Sequence, residues 1–402
     1  MAIVKAPRLI VPLLAVALLA ACNREPALEG MWAATVTVGS NRTRVPFKYL
    51  ISGHGTNLEG SFFNGNERIT STTVQFDKNT IIFTYPEYGS RLEVVGSNNA
   101  LDGSYFLPNG VAYDFEARRY EPVRNAGAVP SIAGLWTIEV PTTKDERAWH
   151  LIINQSGPEV SASILRVDGD SGAVTGTYDG SKFVLGHFSG TRPLRLDLRS
   201  QTDGTLTVER DSWDTFTARR AEEALAKGLP QPADPSRYSS IKDPGARFEF
   251  SFPDIEGRLV TNADTRFSHK VVIVTIGGSW CPNCHDEAPF LMELYRKYRD
   301  RGLEIVFLSF EEGRQLKGLE QLRAFIKRYD VEYPVLIAGD TRLVRLRLPQ
   351  IVNLDAFPTT LFIGRDGLVR EVHTGFASAA TGRYHTSLKA EMTATIERLL
   401  EF

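Results

Sequence analysis

The strongest constraint on how this chain folds is a pair of end-markers that occurs twice. One stretch opens Gly30-Met31-Trp32 and closes Phe115-Glu116-Ala117-Arg118-Arg119, and the next opens Gly134-Leu135-Trp136 and closes Phe216-Thr217-Ala218-Arg219-Arg220. Segments of similar length with matching ends imply one unit present in two copies. Inside both, apolar and polar residues alternate: WAATVTV, TIIFTY, RLEVV and AYDFEAR in the first, WTIEV, HLIINQS, FVLGHF, LRLDLR and TLTVE in the second. A period of two marks half-buried strands, and FFNGN, GSNNALDG and DGDSG supply the turns between them. The expectation is two tandem antiparallel β-barrel or β-sandwich modules, residues 30–124 and 130–222.

The Gly-x-Trp openings resemble those of calycin-like barrels, although a tryptophan closing the floor of any barrel would read the same. The modules contain no cysteine, and His54, His150 and His187 lack metal-like spacing. A binding or spacing role is the default for both. Residues 223–243, with four prolines between positions 228 and 245, read as an exposed, semi-rigid linker. Lys and Arg total 46 against 48 Asp and Glu, so there is no basic excess for a nucleic-acid partner.

The chain holds three cysteines, Cys22, Cys281 and Cys284. Lys5 and Arg8 precede an uncharged run, LIVPLLAVALLAA, that ends at Cys22 and is shorter than the roughly 20 residues a membrane-spanning helix needs. Leu19-Ala20-Ala21-Cys22 resembles the bacterial lipobox, which implies a signal peptide over residues 1–21, lipidation of Cys22 and a tether over residues 22–29. Two or more acyl chains would hold the protein on a membrane, facing an extracytoplasmic space, without crossing it. Asn23 favours the outer membrane under the sorting pattern of enteric bacteria, with the inner membrane as the alternative. If Cys22 is capped, Cys281 and Cys284 can pair only with each other or with another protein. At this point a redox pair, a metal clamp and a structural staple all remain open.

From Phe248 the periodicity changes. FEFSF and RLVT flank a turn, and KVVIVTIGG is a continuous apolar run of the kind buried within a sheet. Leu291, Leu294, Tyr295 and Tyr298 then fall at helical spacing, with Gly302 placed to end the helix. LEIVFLSF, a helix through Leu322, Phe325, Ile326 and Tyr329, YPVLIA, a hairpin over residues 359–372 and a last helix through Leu388, Met392, Ile396 and Leu399 complete the order. This describes a mixed sheet with helices on both faces.

Residues 244–402 resemble the TlpA/ResA group of membrane-tethered, thioredoxin-like thiol-disulfide oxidoreductases. The resemblance rests on Trp280-Cys281-Pro282-Asn283-Cys284 after a buried strand, an extra hairpin before that strand, an inserted helix and strand over residues 319–338, and Phe357-Pro358-Thr359-Thr360. The expected fold is therefore multidomain: two β modules followed by an α/β thioredoxin-like domain. A zinc site would need about four ligands, and no second CxxC or HxxxH pair is present, so no metal is expected. No cofactor is expected either.

A strand that delivers Cys281 to the first turn of a helix places its sulfur beside unpaired N–H groups and the positive end of the dipole, worth roughly 0.3–2 kcal/mol. Cys281 is thus expected to be the exposed nucleophile and Cys284 the resolving thiol, the two forming the redox disulfide. The resemblance implies that Pro358 is the cis-proline beside the disulfide. It implies that Glu287 serves proton transfer, in place of an aspartate that thioredoxin keeps where Thr275 stands here. It also implies that Trp280, Phe357 and Thr359 contact substrate. His285 could tune the thiolate if protonated. Gly277 and Gly278 depart from the family's aromatic-alanine pattern and are expected to loosen the strand end and widen access. The implied partners are a membrane or periplasmic dithiol donor and exported disulfide proteins such as apocytochromes. The competing readings are a peroxiredoxin-like thiol peroxidase, and a β-module binding lipoprotein whose thioredoxin-like domain senses redox state.

Overall fold

The computed structural model describes residues 27–122 and 127–401. The export-signal and Cys22 expectations lie outside the described residues.

The two β modules share one construction. In each, the opening strand pairs antiparallel with the closing strand, so that Trp32 lies opposite Arg119 and Trp136 opposite Arg220. Each indole is buried and donates its N–H to a carbonyl four residues upstream, Leu28 O and Ile132 O, at 2.9 Å in both copies. Each arginine then lies over the indole face, 4.0 Å from the ring centroid in both. A cation held there gains from the ring quadrupole and ties the closing strand to the opening tryptophan.

The copies differ in closure. In the second, strands Glu146–Ser156 and Glu159–Arg166 pair with each other, which closes the ladder into a barrel. The first is a nine-stranded meander whose edges are Glu67–Thr70 and Thr73–Asp77, with no ladder joining them among the described residues. Its interior is completed from the neighbouring module. Phe188 is fully buried among Phe47, Phe62 and Tyr105, with ring centroids 4.9–5.2 Å away. Asn64 clamps the Phe188 backbone, donating to its carbonyl (3.0 Å) and accepting from its N–H (3.3 Å). The two copies therefore form one interlocked unit.

In the C-terminal domain, β1 (Val271–Gly277), α1 (Pro282–Tyr298), β2 (Leu303–Glu311), α2 (Glu320–Tyr329), β3 (Val335–Asp340), β4 (Thr359–Ile363), β5 (Val369–Thr374) and α3 (Arg383–Leu400) follow in order. The sheet runs β3-β2-β1-β4-β5, parallel across β3, β2 and β1 and antiparallel through β4 and β5. Every residue of β1 and of β2 is buried, because both faces of the sheet are covered. On one face Ile273 and Ile305 pack against Leu291, Leu294 and Tyr298 of α1 and Leu388 and Ile396 of α3. On the other, Val274, Val306 and Leu361 pack against Phe248, Phe250, Phe252 and Leu348.

The linker reading needs correction at both ends. Ala221–Ala226 and Pro235–Tyr238 are short helices, the second capped by Asp234, whose carboxylate accepts from Ser236 N. Tyr238 is buried, its hydroxyl donating to Asp355 (2.9 Å), and Ser240–Ile241 pairs with Ile351–Val352. An aromatic and two backbone rungs anchor this end of the segment to the domain that follows. Residues 242–247, around Pro244, keep the exposed character that the prolines suggest, and residues 227–234 keep it in part.

Candidate active site

β1 ends at Gly277 and the chain turns through Ser279 into α1, with Cys281 at its N-cap and Pro282 at its first position. Proline is tolerated there because its missing N–H would have no helical partner. The Cys281 sulfur accepts from Cys284 N at 3.3 Å and lies 3.4 Å from Phe357 O. Both cysteines are free thiols. The Phe357-Pro358 peptide is cis. Its loop lies over the cysteines, and the Trp280 ring stands edge-on to Phe357 at 5.6 Å. The indole N–H of Trp280 donates to Phe310 O (2.8 Å).

Behind the cysteines Glu287 is almost completely buried. Its carboxylate accepts from Thr275 Oγ1 (2.8 Å) and Thr360 Oγ1 (2.6 Å). Burial raises its pKa to about 7, and the two hydroxyls pull the other way. Thr275 thus serves as the carboxylate's hydrogen-bond donor on the neighbouring strand. The Cys284 thiol is pushed well up by burial, then by its hydrogen bond to Cys281. A base must remove its proton before it can act as a nucleophile.

Several expectations change. Cys281 is 1% exposed, so the expected exposed nucleophile is covered. Thr359 is also fully buried, its hydroxyl donating to Ala356 O at 2.8 Å, so its side chain is spent on the loop and offers nothing to a substrate. His285 is neutral: burial lowers its pKa to about 4. Its Nε2–H donates to Ser279 O (2.8 Å), and Nδ1 takes the Tyr329 hydroxyl (2.9 Å). It ties the loop before Cys281 to α2 and carries no charge with which to tune a thiolate. Gly277 and Gly278 serve packing rather than access. A Cβ on Gly277 would lie 2.6 Å from Cys284 Sγ, and one on Gly278 2.3 Å from Trp280 Nε1 and 2.4 Å from Phe310 O.

Glu311 was not anticipated. This buried carboxylate at the end of β2 accepts from Ser279 N (2.8 Å), Ser279 Oγ (2.6 Å) and Ser309 Oγ (2.6 Å). It fixes the loop that presents Cys281. The available signal was a glutamate closing a largely apolar strand two residues after Ser309, with a serine directly before the tryptophan of the motif.

The β modules supply the rest of the surroundings. Tyr88 of the first stacks on His285 at 4.9 Å, and neighbouring Glu87 is ion-paired with Arg328 of α2. Arg192 of the second lies 5.5 Å over the Trp280 ring. Asn283, between the two cysteines, donates to Phe376 O (3.0 Å) and to Asp170 of the second module, at its carbonyl (3.3 Å) and its carboxylate (3.4 Å). Asp286 is pushed well up by burial, then by Glu67 and Asp170, one carboxyl from each module. No group of three or more metal-ligating side chains occurs among the described residues.

A dithiol across the first turn of a helix, beside a cis-proline loop and at the end of a central strand, defines a thioredoxin-fold redox domain. Residues 244–372 match the AhpC/TSA family. Over 122 residues the chain is 31% identical to the thiol-disulfide oxidoreductase ResA of a Bacillus cereus strain, covering 30% of this chain and 64% of that relative. It is 28% identical over 127 residues to the thioredoxin-like protein YneN of Bacillus subtilis (strain 168), covering 32% and 68%. A thiol:disulfide interchange protein of the thioredoxin family from Chlorobium tepidum TLS aligns with 23% identity and a TM-score of 0.32, over 40% of this chain and 99% of that structure. The C-terminal region is an AhpC/TSA thioredoxin-fold domain homologous to ResA-type oxidoreductases. The matches cover that segment alone, and span 64% of the length of the first ResA relative.

Proposed function

We propose that the protein is a membrane-tethered, extracytoplasmic thiol-disulfide oxidoreductase that reduces disulfides in exported proteins. The observation that carries the reading is the pairing of Cys281 at the N-cap of α1 with Cys284 one turn on, backed by a buried carboxylic acid of pKa about 7. Homology to relatives named thiol-disulfide oxidoreductases supports the same chemistry. Lipid attachment at Cys22 would hold the domain on the periplasmic side of a membrane.

In the proposed cycle the Cys281 thiolate attacks one sulfur of a partner disulfide. The partner's other sulfur leaves as thiolate, and a mixed disulfide forms. Glu287 then takes the Cys284 proton, and the Cys284 thiolate attacks Cys281 Sγ. The partner's second thiolate is released, and the Cys281–Cys284 disulfide holds the two electrons' worth of oxidation. A membrane or periplasmic dithiol donor reduces it again. The loop at Pro358, with Phe357 and Trp280 at its rim, is the surface against which the partner would lie.

Reduction of insulin by the purified chain with a dithiol donor tests this. Activity is expected in the native protein, none in Cys281→Ser, and accumulation of mixed disulfides in Cys284→Ser. Peroxide consumption that is lost in Cys281→Ser would instead assign a thiol peroxidase, and an inert dithiol would leave the β modules as the working part.

A further inference from the structure

An N-cap cysteine at the end of a central strand is at the rim of its own domain, yet Cys281 is 1% exposed and Asn283, the side chain between the cysteines, only 6%. The turn joining strands Glu159–Arg166 and Gly169–Asp170 of the second β module meets Asn283, and Arg192 of the same module lies over the ring of Trp280, the residue before Cys281. Asp170 is buried at this junction. Its Oδ1 accepts from Ser378 N (3.0 Å) and Asn283 Nδ2 (3.4 Å), and its Oδ2 accepts from Ser378 Oγ (2.7 Å) and from Ser163 Oγ (2.9 Å) of its own barrel. One carboxylate thus joins the barrel, the segment after β5 and the redox motif.

The backbones meet without side chains between them. A Cβ on Gly375 would lie 2.4 Å from Gly169 N, and one on Gly169 would lie 2.2 Å from Asn283 Nδ2. Leu165 extends the contact into the core of the C-terminal domain, and Val167 is fully buried. No polypeptide fits between surfaces this close. A disulfide partner must lie along the same face, because its sulfur has to come within bonding distance of Cys281 Sγ.

We propose that the second β module is an inhibitory lid latched over the dithiol by Asp170, and that a protein disulfide reaches Cys281 only when the Val167–Asp170 turn lifts from Gly375–Ser378. The lid competes with the partner for the redox face, and this sets which disulfides are accepted. The inference rests on the oxidoreductase reading for its purpose, but its test needs only a thiol.

The reduced full-length chain is treated with iodoacetamide and with a 5-kDa polyethylene-glycol maleimide, and labelling of Cys281 is timed by peptide mass spectrometry. Native protein is expected to label slowly, more so with the large reagent. Asp170→Ala is expected to label at least tenfold faster with both, and to reduce insulin faster. Should Asp170→Ala not fold, Ser378→Ala removes a single hydroxyl of the latch and carries the same comparison. Native labelling as fast as in the variants, or variants as slow as native, overturns the lid. Insulin left unreduced by native and variant chains alike, with labelling still accelerated, rejects the oxidoreductase reading while the lid stands.

Discussion

Glu287 is a carboxyl whose burial outweighs two hydrogen bonds, and this has consequences for stability as well as for catalysis. Its folded pKa is about 7, against about 4.3 for a free glutamate, so between those values the folded chain holds a proton that the unfolded chain has lost. The stabilisation is therefore complete below about pH 4.3 and disappears as pH rises through about 7, a change of roughly 3–4 kcal/mol at 1.36 kcal/mol per unit. Denaturant unfolding of Glu287→Gln from pH 4 to 8 should lack this decline, since an amide can still meet both threonine hydroxyls. At pH 7 the same variant should resolve mixed disulfides at least tenfold more slowly, as followed by stopped-flow release of the partner thiol. Glu311→Ala strands Ser279 N and Oγ in the interior, and a loss of about 1–3 kcal/mol is expected in the same unfolding assay.

At the scale of elements, the junction of β1 with α1 tolerates little. Gly277→Ala pushes a methyl into Cys284 Sγ and Phe307, and overpacking of this kind costs about 1–3 kcal/mol, so a lower melting temperature by calorimetry is expected. Most elements of this domain were legible in the residues. Val271–Gly277 and Leu303–Glu311 are predominantly apolar because each is covered on both faces, and α1 has its apolar positions at helical spacing. The duplicated ends were legible too, since the tryptophan and arginine that mark them meet across the first and last strands. The roles of Gly277 and Gly278 were not, because a glycine reads alike whether it loosens a strand or lets a sulfur approach. His285 misled for a related reason: its charge is decided by Ser279, Tyr329 and burial, none of which its neighbours in sequence reveal.

At the scale of the molecule, what escaped the sequence is how its parts meet. Alternating strands describe each barrel separately, whereas Phe188 reads as an ordinary strand-end aromatic until it is found in the interior of the other copy. Phe188→Ala should cost about 3–5 kcal/mol, the range for emptying a buried aromatic site, and should expose the first module to proteolysis before the second. The coverage of Cys281 escaped for the same reason, since Asp170 lies 111 positions before it and carries no motif. The connection between the barrels and the redox domain adds a further consequence. Between the helices Ala221–Ala226 and Pro235–Tyr238 runs a short length of chain with no buried residue, residues 227–234, which extended reaches about 27 Å at 3.3–3.6 Å per residue. Kept on so short a leash, a displaced barrel returns to its seat at an effective concentration in the millimolar range. A client protein present at micromolar levels wins that contest only when its concentration is high against its own dissociation constant, so turnover should half-saturate at a higher client concentration in the native chain than in Asp170→Ala.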